Sequence, residues 1–310
     1  MSTDTSIRKE DYPCRFRRVD EKANEFQKRH YSLVATELII LVIISVIISL
    51  LGSGWGFLGI KGSNILITVA FLVILFLGVR LYREKSDYDS MWYKARSLAE
   101  TIKSITWQYM MRVNRYGGSK EKATEQFLED LEDISEKRRE ILSKVDPTTK
   151  NKNEVTQKMD VVRSLSLKDR IYVYNSERLN DQIDWYDSKI NAYQESQKQW
   201  NKVTVIAGVC TIILTLVAIE LGSKAFGFVP PFLVVITAVS SWSRANRFSS
   251  LVESYNLTRQ ELSAIENHAP PQDEENFAEQ VHEVENTISK EHTMWMARRG
   301  NMAVRNQLYS

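Results

Sequence analysis

Four apolar runs interrupt an otherwise charged chain, and they come in two pairs. Leu33 to Leu51 and Ile65 to Leu81 are separated by a short glycine-rich stretch, and Val203 to Leu221 and Phe226 to Trp242 form the second pair. A helix needs about 20 apolar residues to cross a hydrocarbon core, and the first three runs are close to that length. Four such runs between charged segments would give a soluble fold more apolar surface than it could cover. The pattern predicts an all-α membrane protein with four transmembrane helices arranged as two hairpins and extended into a cytoplasmic helical bundle. Pro230 and Pro231 open the fourth run, where a first helical turn tolerates proline. That run is the most polar of the four, ending in Thr237, Ser240 and Ser241.

Outside these runs the apolar residues alternate at spacings of three and four, which places them on one face of a helix. Tyr12, Phe16, Val19, Ala23 and Phe26 lead into the first run, and Tyr88, Met91, Ala95, Leu98, Ile102, Ile105 and Tyr109 lead out of the second. Leu179, Ile183, Tyr186, Ile190 and Tyr193 precede the third run, and Phe248, Leu251, Tyr255, Thr258, Leu262 and Ile265 follow the fourth. Each hairpin therefore has a helical arm on either side, an architectural duplication. Such stripes pack helices within one bundle or present a groove to a partner.

Ser119 opens an extra helix with Phe127, Leu131, Ile134 and Ile141 on its stripe, and Asp146-Pro147 stops it because proline lacks a donor. A shorter helix carries Val155, Met159 and Val162, and Ser166 with Asp169 resembles an N-terminal cap. After Pro270 and Pro271 comes a last helix with an acidic first turn and the stripe Phe277, Val281, Val284, Ile288 and Trp295, ending at Arg298, Arg299 and Gly300. The expected divisions are residues 1–116 as a first hairpin unit, 117–165 as a helical insert, 166–268 as a second hairpin unit, and 269–310 as a C-terminal amphipathic helix and tail.

Charge sets the orientation. The flank before the first run is rich in Lys and Arg, whereas the hairpin connections carry only Lys61 and Lys224. The positive-inside rule then predicts a multi-pass protein of the cytoplasmic membrane with both termini cytoplasmic. Trp55, Tyr82, Trp200 and Trp242 stand where interfacial aromatic belts form. With 41 Lys plus Arg against 39 Asp plus Glu the whole is nearly neutral, which argues against a nucleic-acid partner. Cys14 and Cys210 lie in different environments and suggest no disulfide. The four histidines lack metal-ligand spacing, and no phosphate-binding loop is present, so neither a cofactor nor an enzymatic activity is expected.

The membrane runs carry sharper signals. Thr204, Gly208, Thr211 and Thr215, continued by Ala218 and Gly222, put small or hydroxylated side chains on one face of the third run, and Ser45, Ser49 and Gly52 do so on the first. Such a face lines an aqueous path or allows close helix packing. Glu37 lies about one turn inside the first run, where an ionised carboxylate needs water, an interface or a partner. The basic run Arg15, Arg17 and Arg18 is either a solvated topology signal or a contact for anions.

Trp92-Tyr93-Lys94-Ala95-Arg96-Ser97-Leu98-Ala99-Glu100, followed by Trp107-Gln108-Tyr109-Met110-Met111-Arg112 behind a hairpin, resembles the bacterial SLATT superfamily. The stretch Glu177-Arg178-Leu179-Asn180-Asp181-Gln182-Ile183-Asp184-Trp185-Tyr186 is similar to the entry of a second such unit. The resemblance implies a membrane effector of bacterial conflict systems that forms pores or perturbs the membrane, often beside enzymes that make nucleotide second messengers. The expected function is thus a homo-oligomeric inner-membrane effector in anti-phage defence, with the lipid bilayer and a nucleotide second messenger or cytoplasmic signalling protein as partners. Arg96 and Arg259 are candidate anion contacts, since the guanidinium fork suits phosphate. The rival reading is a non-conducting scaffold that binds partner proteins through its cytoplasmic helices. A solute transporter is a third, and would require discontinuous spans.

Overall fold

The computed structural model describes residues 6–52, 62–144, 154–221 and 227–290, and among them every regular element is helical. The helices are α1 (Cys14–Gly52), α2 (Gly62–Ser86), α3 (Tyr88–Met111), α4 (Lys120–Lys137), α5 (Arg139–Leu142), α6 (Gln157–Ser164), α7 (Leu167–Tyr174), α8 (Asp181–Leu221), α9 (Val229–Asn246), α10 (Phe248–Glu266) and α11 (274–290). A π-helical turn, Asn175–Asn180, joins α7 to α8. The glycine-rich connection with Trp55 and Lys61, the second connection with Gly222 and Lys224, and the Asp146-Pro147 stop with its linker lie outside the described residues. So do Phe226, Trp295 and the expected helix end at Arg298 to Gly300.

The polar starts are built as the sequence suggests. Ser119 accepts a hydrogen bond from the Lys122 amide and Ser166 from the Asp169 amide, while Thr156 does the same for Met159. Each satisfies an amide that a helix N-terminus otherwise leaves without a partner. At its other end α3 closes with the Val113 amide on the Gln108 carbonyl (3.2 Å) and the Arg112 amide on the Tyr109 carbonyl (3.3 Å). Arg112 sits there at φ 61°, the left-handed position that such a helix stop requires.

Two compact units result, one of residues 1–26, 89–190 and 253–310, the other of residues 27–88 and 191–252. The core of the first is the set of predicted stripes. Val19, Ala95, Leu98, Ile102, Phe127, Met159, Leu179, Leu262, Phe277, Val281 and Val284 are all fully or almost fully buried there. Burial of a large apolar side chain contributes roughly 1.5–3 kcal/mol, so these stripes are the unit's main stabilising term. The bundle-packing role of the stripes is thereby established for this unit.

In the second unit the balance is reversed. No residue of α2 is buried, and Ile67, Phe71 and Ile74 on α2, with Val205, Ile212 and Ile219 on α8, are more than half exposed. Water would not tolerate so much apolar surface, whereas hydrocarbon does. Among the described residues three helices, α1, α2 and α8, are long and apolar enough to cross a membrane. The fourth run forms α9, with Pro230 and Pro231 in its first turn as expected, but α9 is not among the three. Its 18 residues include Ser240, Ser241, Ser243, Arg244 and Asn246, which dilute the apolar segment.

Candidate functional site

In the membrane-type unit, Glu37 of α1 meets a partner that its surroundings in sequence do not announce. Its carboxylate receives Arg83 Nε at 2.5 Å and Arg83 Nη2 at 3.2 Å, a bidentate pair between α1 and α2. The Glu37 side chain is only 8% exposed. Glu37 is largely desolvated while Arg83 stays partly exposed, and the paired geometry is what makes a charge at this depth tolerable.

The hydroxyl seams of α1 and α8 are satisfied differently. Ser45 donates to the Val42 carbonyl within its own helix (2.7 Å), and buried Ser49 donates to the Gly227 carbonyl ahead of α9. On α8, Thr204, Thr211 and Thr215 donate to the carbonyls of Trp200, Ala207 and Thr211, four residues back, at 3.1, 2.8 and 2.8 Å. Ala207 and Ala218 on the same face are buried, and the three threonines and Gly208 are half-buried, while the opposite face is exposed Val, Ile and Leu. The seam therefore faces inward in this unit. A Cβ added at Gly208 would meet no atom within 4 Å, so helix contact does not require the glycine there. No hydrogen bond or ion pair links Glu37 to the α8 threonines among the described residues.

The other unit contains a second constellation, which sequence reasoning missed. Three buried arginines cross its core. Arg163 of α6 donates to the carbonyls of Tyr109 (2.6 Å), Tyr116 (2.7 Å) and Gly118 (3.1 Å), with its guanidinium 4.8 Å from the Tyr109 ring centre. Arg170 of α7 donates to the Met111 carbonyl and pairs with Glu274 of α11. Tyr109 and Met111 belong to the last turn of α3, whose carbonyls lack the amide four residues on that a continuing helix would supply and carry the negative end of the helix dipole. Arg163 and Arg170 thus act as side-chain caps, and burial lowers the pKa of Arg163 without threatening its charge.

Arg178 of the π-turn completes the set. It is 1% exposed and pairs with Glu285 of α11, itself 3% exposed, through Nε (2.9 Å) and Nη2 (2.7 Å). Arg178 Nη1 donates to Gln182 (2.9 Å), and the Tyr174 hydroxyl donates to Glu285 (3.1 Å). Nearby, Trp107 Nε1 donates to the Tyr12 hydroxyl at 3.0 Å, and burial pushes the Tyr12 phenol well above its usual range. Tyr116 is raised as well, first by burial and then by its hydrogen bond to Asp130.

Arg96 and Arg259 both have carboxylate partners. Arg96 pairs with Glu100 (2.8 Å) and Asp20 (3.4 Å) and lies 5.9 Å from the Trp185 ring centre. Arg259 pairs with Asp187 at 3.0 Å. Arg15, from the basic run, is spent on structure: it donates to the Leu131 carbonyl (2.7 Å) and pairs with Glu132 and Glu154.

Two family profiles match the chain one after the other. Residues 13–171 match SMODS and SLOG-associating 2TM effector domain 3, and residues 174–295 match SMODS and SLOG-associating 2TM effector domain 1. The chain is a tandem SLATT-superfamily protein. No curated protein and no solved structure matches it. The join between the two SLATT matches falls at the end of α7, one residue before the π-turn that carries Arg178. Both SLATT domains are membrane-type effector domains by description, in agreement with three helices that are apolar enough to span.

Proposed function

We propose that this SLATT protein is a non-enzymatic effector that assembles as a homo-oligomer in the bacterial inner membrane and opens a regulated path through it. In this reading α1, α2, α8 and the shorter α9 all cross, as two hairpins, with both termini cytoplasmic by the positive-inside rule. The observation that carries the proposal is the seam of α8. Thr204, Gly208, Thr211 and Thr215 turn a hydroxylated face inward, with open space at Gly208, while the outer face is apolar and exposed. A face used only for tight packing has no need of free room at its glycine. Glu37 and Arg83 lie at the cytoplasmic end of the first hairpin, where a neutralised pair holds the helices without leaving a bare charge in the path.

The helical cytoplasmic unit is the control element. A nucleotide second messenger or signalling protein that prefers one of its packings shifts the population toward the open form. The place of the effector is anti-phage defence, downstream of that signal. The test is efflux of a small dye and of ions from liposomes containing the full chain, beside a Thr211→Leu, Thr215→Leu variant. Leakage that the variant loses while it keeps its oligomeric size supports the proposal. Intact impermeability with cyclic nucleotides and partner-containing lysate added would favour the non-conducting scaffold instead.

A further inference from the structure

We infer that the base of the first hairpin is a binding site for the headgroup of an anionic phospholipid. The inference rests on α1 and α2 crossing a bilayer, and adds a ligand to that reading. Lys28, Arg29, Ser32 and Leu33 of α1, Tyr82 of α2 and Tyr88 of α3 line an open cleft of about 370 Å³. Five of these six side chains carry hydrogen-bond donors, two of them cationic, and no carboxylate lines the cleft. Of the acidic side chains on α1 and α2 in this unit, Glu84 pairs with Arg80 (3.4 Å) and Glu37 with Arg83 (2.5 Å).

The cleft is built before any ligand arrives. Asp87 adopts φ 44°, a left-handed conformation that breaks the helix between Ser86 and Tyr88 and that aspartate tolerates better than most residues. Beyond that break the Tyr88 hydroxyl meets the Tyr82 hydroxyl at 3.2 Å and accepts from Arg29 Nη1 at 3.0 Å, and the Arg29 guanidinium stands 5.6 Å from the Tyr88 ring centre. The phenols therefore fix the direction of the arginine. Lys28 makes no ion pair among the described residues.

Depth selects a lipid over a soluble phosphate. Lys28, Arg29 and Ser32 occupy the turn just before the apolar run that Leu33 begins, and Tyr82 directly follows Leu81, where the second run ends. This is the level of the phosphates, where tyrosine rings and basic side chains concentrate. Leu33 in the wall and exposed Leu77 and Leu81 on α2 give acyl chains an apolar surface to follow. A phosphodiester held by Lys28, Arg29 and the hydroxyls, with its tails along α2, fits that division.

The test uses the full chain in detergent, with native mass spectrometry counting retained phosphatidylglycerol against phosphatidylcholine and with inorganic phosphate as a separate probe. Flotation with vesicles comes first, since a chain that does not float refutes the membrane reading itself. For a chain that floats, the expected result is preferential retention of phosphatidylglycerol. A Lys28→Gln, Arg29→Gln variant should weaken it roughly twenty-five-fold, about fivefold for each cation. Tyr88→Phe, which keeps the ring and its packing, should weaken it by a smaller factor, and Arg80→Gln, outside the cleft, should leave it unchanged. Equal retention of both lipids, or a loss in Arg80→Gln as large as in the double variant, overturns the site. Tight inorganic phosphate binding without lipid preference overturns the lipid assignment.

Discussion

Breaking the Arg178–Glu285 pair is the perturbation whose cost the structure defines best. Both side chains are almost wholly buried and joined by two hydrogen bonds, with Gln182 and Tyr174 completing their valences. Arg178→Met leaves the Glu285 carboxylate without its counter-ion, and Glu285→Leu leaves the guanidinium likewise. Each single change should cost about 3–5 kcal/mol, the penalty of an uncompensated buried charge. The double variant removes both charges and strands only the Gln182 amide oxygen and the Tyr174 hydroxyl. Its cost should fall to roughly 1–3 kcal/mol, well below the sum of the singles. In thermal unfolding of the detergent-solubilised full chain, followed by tryptophan fluorescence, about 2–4 °C per kcal/mol makes each single shift roughly 6–20 °C. The double variant should recover most of that loss. Single shifts below about 2 °C, or three variants that simply add, would refute the buried, coupled pair.

Other expectations follow from the same network. Arg163→Ala takes the donor from the buried Tyr116 carbonyl and one of two donors from the Tyr109 carbonyl, while the Gly118 carbonyl is exposed to solvent, so a cost of about 1–3 kcal/mol is expected for the one buried group left unsatisfied. Arg163→Lys should recover little, because one ammonium cannot reproduce the fork, and urea titration of both variants checks this. Burial raises the pKa of Tyr12 and of Tyr116 above the usual value of about 10, so the folded state keeps protons that the unfolded chain loses. That stability is full below about pH 10 and falls as pH rises through the folded values. Melting temperature measured from pH 8 upward should therefore drop above about pH 10, and a Tyr12→Phe, Tyr116→Phe variant should show a shallower drop. An unchanged slope would exclude these phenols as the cause. Glu37→Gln leaves Arg83 without its carboxylate and should lower the melting temperature of the solubilised protein. The charge-reversed pair Glu37→Arg, Arg83→Glu should recover part of the loss, and no recovery would mean that the pairing is not what stabilises this end of the hairpin.

The apolar stripes were legible because they obey one rule, and Tyr12, Phe16, Val19, Ala23 and Phe26 are buried together as that rule demands. Caps at Ser119 and Ser166 were legible for the same reason, being local and governed by backbone donors a few residues away. The buried arginines were not, because a charged residue is assigned to the surface unless its partner is known. A signal did exist. Arg170, Tyr174, Arg178 and Gln182 recur every four residues, and Glu285 falls four after Val281 on the stripe of α11. Charged residues on an apolar register need a buried partner, which here comes from about a hundred residues away, as Glu285 does for Arg178. Arg83 escaped notice as the partner of Glu37 because it lies 46 positions on, across a connection whose path the sequence does not dictate. The run at α9 was legible as helix, and its serines mark why it falls short of α1, α2 and α8 in apolar character.

The central claim, a conducting path bordered by the α8 seam, is tested most directly by current across a planar bilayer holding the full chain. Insertion is confirmed first on the same preparation. The account predicts discrete conductance steps that Thr211→Leu, Thr215→Leu reduces or abolishes and that a leucine placed on the outer face at Val209 leaves intact. A flat baseline from inserted, oligomeric protein with cyclic nucleotides present, or steps indifferent to the seam and altered by the outer face, would contradict it.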